Sequence, residues 1–204
     1  LADTQIPLSI DTSKPAVMER AIAAGACMIN DVNALRSPGA LEAVAHSNHV
    51  QVCLMHMQGT PQTMQANPQY CDIVQEVNDF LQQRIQAATA AGIAKNRLVI
   101  DPGFGFGKTL QHNYTLLNRL DRLLDLGVPL LAGLSRKSML GAVTGNSVDH
   151  RIHESIAAAL LAVVKGAKIV RVHDVTATKE ALAIYNAMKN SAAQETNAST
   201  SNRN

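Results

Sequence analysis

Six short apolar runs alternate with longer stretches of helical periodicity, and no other feature constrains the fold of this chain so strongly. The runs are Pro7 to Asp11, Cys27 to Asp31, Val50 to His56, Arg97 to Asp101, Pro129 to Leu134 and Lys168 to Val172. Helices are expected from Pro15 until Gly25 stops it, from Pro38 to Ser47, from Asp72 to Ala91 and from Asn113 to Leu126. A short one follows Ser138, and two more run from Arg151 to Lys165 and from Thr176 to Lys189. Strands separated by helices pair in parallel through crossovers. Runs apolar throughout suit strands covered on both faces.

Doubly wound sheets and (β/α)8 barrels both meet this description. What ends the strands discriminates between them. Asp11, Asn30 with Asp31, His56, Asp101, Ser135 and His173 stand at or just past carboxyl ends. A doubly wound sheet concentrates its polar site at one switch point, whereas a barrel draws on many βα loops. The pattern favours the barrel, with about six of eight βα units in this chain; closure requires two more.

Composition sets the remaining bounds. Hydrophobic residues make up 47% and charged residues 17%, enough for a core and incompatible with a disordered chain. The formal charge is +2, aromatics are 3% and Trp is absent, so a nucleic-acid partner is not expected. No apolar run reaches the ~20 residues that cross a bilayer, so no membrane partner is expected. The chain opens on Leu1 with no leader-like segment and reads as a trimmed piece. Cys27, Cys53 and Cys71 form no CxxC; Cys27 and Cys53 are expected as buried thiols, in a reducing cytoplasm. Residues 1–190 read as one domain and 191–204 as a disordered tail.

Four motifs carry chemistry. In Asp101-Pro-Gly-Phe-Gly-Phe-Gly-Lys108 an Asp ends a strand and three glycines let backbone approach a ligand. The spacing is neither that of a P-loop nor GxGxxG. Ser135-Arg-Lys-Ser138 places two cations after a strand, suited to an anion or a carbonyl-bearing ring. In Arg171-Val-His-Asp174, alternation puts Arg171 and His173 on one side, a pairing that suits phosphate. Asp11-Thr-Ser-Lys-Pro15 sets an Asp at a strand end before a helix. Three also have a plainer reading, a capped turn, a solvated charge pair and a helix cap; an Arg within a strand is rarely idle, since burying it unpaired is costly. His56, in Met55-His-Met57, suits the core as well as a site, and no HExxH or HxxxH pair suggests zinc.

Taken together with Ile29-Asn-Asp31 and Leu54-Met-His-Met57, these motifs closely resemble the bacterial dihydropteroate synthases of the pterin-binding family, from about Pro7 to Lys189. The resemblance implies a (β/α)8 TIM barrel, usually dimeric, that condenses 4-aminobenzoate with 6-hydroxymethyl-7,8-dihydropterin diphosphate. The products are dihydropteroate and pyrophosphate, and sulfonamides inhibit the reaction. By the same resemblance, Asp101 and Asn30 hold the pterin edge, Met55 packs on the ring, and Asp11 steadies charge at the reacting methylene. Lys137 stands between the pterin carbonyl and aminobenzoate. Arg171 and His173 bind diphosphate, while Phe106 and Ser138 belong to the aminobenzoate pocket. Mg2+ is expected with the diphosphate. The family's Asn ligand lies in two βα units that precede the matching region, so no metal ligand is expected in this chain. A methyltetrahydrofolate methyltransferase would share the strand-end Asp and Asn but needs no diphosphate site. A pterin-binding piece without turnover is the other alternative.

Overall fold

A computed structural model describes residues 4–60 and 62–201. The strands are β1 (Ser9–Asp11), β2 (Met28–Asp31), β3 (Gln51–Met55), β4 (Leu98–Asp101), β5 (Leu131–Ala132) and β6 (Ile169–Val170). The helices are α1 (Pro15–Ala23), α2 (Ala40–Ala45), α3 (Ile73–Ala90), α4 (Leu110–Asn118), α5 (Ser138–Thr144), α6 (Ile152–Val164) and α7 (Val175–Ser201). Strands β1 to β4 form one parallel sheet in chain order, and β5 pairs in parallel with β6. A parallel bridge between Ile100 and Leu130 joins the two. The result is a six-stranded arc of the TIM-barrel type, as the alternation predicts.

Register explains which side chains meet. Ile10, Ile29, Val52 and Leu98 lie abreast. The last three are buried in the main core under the helices, and Ile10 packs against it. Their neighbours along each strand point to the concave side. There Cys53, Val99 and Leu131 form a small separate cluster with Met28 and Ile169. Asp11 stands opposite Asn30, and Met55 opposite Asp101. The concave face is therefore apolar below and polar towards the carboxyl ends.

Local chemistry sets the helix boundaries. Asp72 caps α3 by accepting from the Val74 and Gln75 N–H groups, and Glu76 reaches back to the N–H groups of Cys71 and Asp72. Thr109 caps α4, which starts at Leu110, three residues before the expected start, in a box closed by the His112 side chain. The stretch expected as one helix to Leu126 divides at Arg119 into α4 and a 3-10 segment, Leu120–Leu126. Cys53 is buried but Cys27, just before β2, is exposed, which corrects the expectation of two buried thiols. The last helix runs past Lys189 to Ser201, so the segment read as a tail has helical backbone; no Gly or Pro between Ser191 and Ser201 interrupts it. Residues 202–204 lie outside the described residues. No helix among the described residues is long and apolar enough to cross a membrane.

Candidate active site

The carboxyl ends of the strands converge on a cavity of about 250 Å³ lined by Asp11, Phe106, Ser135, Lys137, Arg171 and His173, among others. Its floor is a chain of hydrogen bonds. Asn30 Nδ2 donates to Asp11 Oδ2 at 2.8 Å. Arg171 Nη1 donates to Asn30 Oδ1 at 3.4 Å, and Arg171 Nη2 to Asp101 Oδ2 at 2.9 Å. The other Asp101 oxygen accepts from the Gly103 N–H at 2.8 Å. Asp101 is fully buried, while the Arg171 side chain is 41% exposed. The guanidinium thus covers the carboxylate from the solvent side. Gly133 makes room for it, because a Cβ there would lie 2.7 Å from Arg171 Nη2.

The glycine turn after β4 forms one wall. Gly103, Gly105 and Gly107 all have positive φ, which side chains with a Cβ resist. Every carbonyl from Gly103 to Gly107 is engaged. Lys108 Nζ takes those of Gly103 and Phe106, Lys137 that of Phe104, Gln65 that of Gly105, and the Tyr70 hydroxyl that of Gly107. Lys137 Nζ also lies 4.2 Å from the Phe106 ring centroid. Burial pushes Lys137 down to about 8.

The opposite wall comes from the loops after β5 and β6. Arg136 turns away from the cavity into a two-pronged pair with Asp174, at 2.8 and 3.2 Å. Its φ of 58° makes this possible, since reversing the chain there sends Lys137 to the cavity side. Ser135 Oγ accepts from the His173 N–H and lies 2.8 Å from His173 Nδ1. With that hydroxyl donating to Nδ1, Nε2 carries the ring proton and remains a donor.

The structure brings Asp11, Asn30, Met55, Asp101, Phe106, Lys137, Arg171 and His173 to one end of the arc. Ser138 does not join them: it is exposed at the first position of α5 and does not line the cavity. Asp31, though fully buried, serves its own loop by accepting from the Asn33 and Leu35 N–H groups; burial, its largest influence, raises its carboxyl. Sequence reasoning missed Ser135 as the partner of His173, the Arg136–Asp174 clasp, and the role of Lys108. That lysine was visible as the end of the glycine motif, but nothing in the spacing says it folds back on its own turn. No group of three or more His, Cys, Asp or Glu side chains converges among the described residues.

Parallel βα units with a strand-end polar site in this order define a class, and comparison agrees with the geometry. Residues 1–173 match the pterin binding enzyme family, to which the chain belongs. Its relatives there are dihydropteroate synthases. The one from Haemophilus influenzae is 54% identical over 183 residues, covering 90% of this chain and 66% of its own length. The chain thus spans just under two thirds of that relative. Among solved structures, Yersinia pestis dihydropteroate synthase in a sulfonamide drug complex superposes with a TM-score of 0.90 at 48% identity, over 93% of this chain and 69% of that one. The Xanthomonas albilineans enzyme in complex with 7,8-dihydropteroate gives 0.86 at 54% identity, over 92% and 69%.

Proposed function

We propose that these residues form the pterin and diphosphate subsites of a dihydropteroate synthase, which joins 4-aminobenzoate to 6-hydroxymethyl-7,8-dihydropterin diphosphate. The observation that carries the reading is the hydrogen-bonded series Asp11, Asn30, Arg171, Asp101 beside Lys137 and His173. A pterin edge offers an amine and a ring N–H side by side, and a buried carboxylate accepts both. Asp101 is such a carboxylate, joined to the Asn30 amide through Arg171 and paired with Met55 of the neighbouring strand. As the C–O bond to diphosphate breaks, positive charge develops on the pterin methylene and negative charge on the leaving group. The Asp11 carboxylate suits the first, and Arg171 with His173 suits the second. A pterin that takes Arg171's place on Asp101 frees the guanidinium to meet the anion. The arylamine nitrogen forms the new C–N bond to the methylene as the C–O bond breaks, and its proton passes to the departing pyrophosphate or to water. Lys137, at its lowered value, stands where the two substrates meet, against the Phe106 face.

Mg2+ and sulfonamides belong to the same reading. Among the described residues no group of three or more His, Cys, Asp or Glu converges to hold the ion by itself. A second copy of the chain is also proposed as a partner: Leu161 and Val164 on α6 and Ile184 and Met188 on α7 are each more than half exposed, a surface two copies would cover. A reducing, cytoplasmic setting suits the free thiols of Cys27, Cys53 and Cys71.

Calorimetric titration with 7,8-dihydropterin tests the reading. Binding should be measurable, and Asp101→Asn should weaken it by roughly 1.5–3 kcal/mol, the range for a hydrogen bond to a charged group. Equal affinity in both proteins would overturn the assignment.

A further inference from the structure

Lys108 and His56 form a buried contact beside the cavity that the proposed chemistry does not use. Lys108 is 4% exposed and His56 5%. The ammonium has three protons and meets three acceptors: His56 Nδ1 at 2.9 Å, the Gly103 carbonyl at 2.9 Å and the Phe106 carbonyl at 3.0 Å. His56 follows β3 directly, and its ring is held edge-on against Phe80 with centroids 4.9 Å apart. One lysine therefore ties both ends of the Gly103–Phe106 turn to a fixed ring on the neighbouring strand.

We infer that Lys108, anchored on His56, is a positioning residue that sets where the Phe106 ring stands at the cavity wall, and so determines how well an aryl co-substrate is held. The lysine touches no substrate. It acts through two carbonyls, and the consequence appears on the opposite face of the turn, where Phe106 meets Lys137. Burial lowers Lys108 to about 7, and burial with the neighbouring cation lowers His56 to about 3. The histidine accepts at Nδ1, so its own proton sits on Nε2. The identity of the aryl ligand rests on the function proposed above; the control of Phe106 does not.

Fluorine NMR gives a ligand-free readout, because the chain has only three phenylalanines, Phe80, Phe104 and Phe106. In fluorophenylalanine-labelled protein, Phe106→Leu assigns one line. Lys108→Met should shift or broaden that line. His56→Leu should do the same, whereas His56→Asn, which keeps an acceptor near the Nδ1 position, should restore it. In parallel, 4-aminobenzoate binding with pterin and pyrophosphate present should weaken roughly tenfold in Lys108→Met and His56→Leu, a loss of one hydrogen-bonded contact. Pyrophosphate binding alone should stay as in the parent. An unmoved Phe106 line in folded Lys108→Met overturns the inference, and so does His56→Asn behaving like His56→Leu. Should Lys108→Met not fold, the two His56 variants still decide. If the parent chain binds none of the three ligands, the proposed function fails, while the fluorine lines still decide for or against Lys108.

Discussion

Gly103 is the tightest point of the candidate site, and replacing it with alanine has a cost that can be worked from the geometry. A Cβ at this position would lie 1.9 Å from the His56 carbonyl oxygen and 3.1 Å from its carbon, both backbone atoms. The residue also has a φ of 67°, in the left-handed region. The conformational part costs ~1–2 kcal/mol for an L-residue. The contact part requires the end of β3 and the glycine turn to separate by about 1 Å, an overpacking strain of ~1–3 kcal/mol. The separation pulls on the His56 N–H to Asp101 carbonyl bond of 2.9 Å, and so on the placement of Asp101. The expected total is ~2–5 kcal/mol. Gly25→Ala is the control: its φ is 92°, but nothing lies within 4 Å of its Cβ, so only the conformational part applies. Urea unfolding of both variants isolates the difference. Gly103→Ala should lose at least ~1 kcal/mol more than Gly25→Ala. Coincident midpoints would refute the claim that the turn is pinned against β3.

Other consequences can be measured directly. Arg171→Ala should abolish most pyrophosphate binding, yet tighten binding of a pterin that lacks the diphosphate, because the cover over Asp101 is gone; calorimetry with each ligand checks both signs. Burial and nearby cations hold His56 at about 3 against an ordinary 6.5, so the unfolded chain takes up a proton first. Stability carried by neutral His56 should be complete above pH 6.5 and lost as pH falls towards 3; His56→Asn should flatten that part of a melting profile. Lys137, lowered to about 8, is a cation only below that pH. Ligand affinity that depends on it should decline above pH 8 in the parent and be insensitive there in Lys137→Ala. Ile184→Glu should shift any dimer towards monomer in light scattering.

The arc was legible because apolar runs and helix signals are local. Asp11, Asn30 and Asp101 were legible as strand ends; parallel register sets Asp11 abreast of Asn30, in one row with Cys53 and Val99, and sets Asp101 opposite Met55, two residues further along. Arg171 was not legible as the partner of Asp101, because they are 70 residues apart and only curvature of the sheet joins them. Ser138 drew notice as a hydroxyl beside two cations, but the turn at Arg136 starts a helix there and leaves it in solvent. The break at Arg119 escaped notice because apolar spacing continues through it, and a 3-10 segment uses the same leucines. Lys108 was visible only as the last residue of the glycine motif, and its bond to His56 spans 52 residues that local spacing does not connect.

The position of Arg171 makes occupation of the floor an exchange rather than a filling. Its guanidinium gives Asp101 and Asn30 N–H donors of the kind found on an aminopyrimidinone edge. An incoming ring on the proposed reading replaces those donors nearly one for one, so the number of hydrogen bonds at the floor barely changes. The gain must then come from what the displaced arginine finds next, and an anion beside His173 is the partner best matched to it. A ring bearing its own negative group carries that partner with it, whereas a bare ring leaves the cation in water. Selection for the charged form of the ligand would thus begin at a carboxylate that never touches the charge.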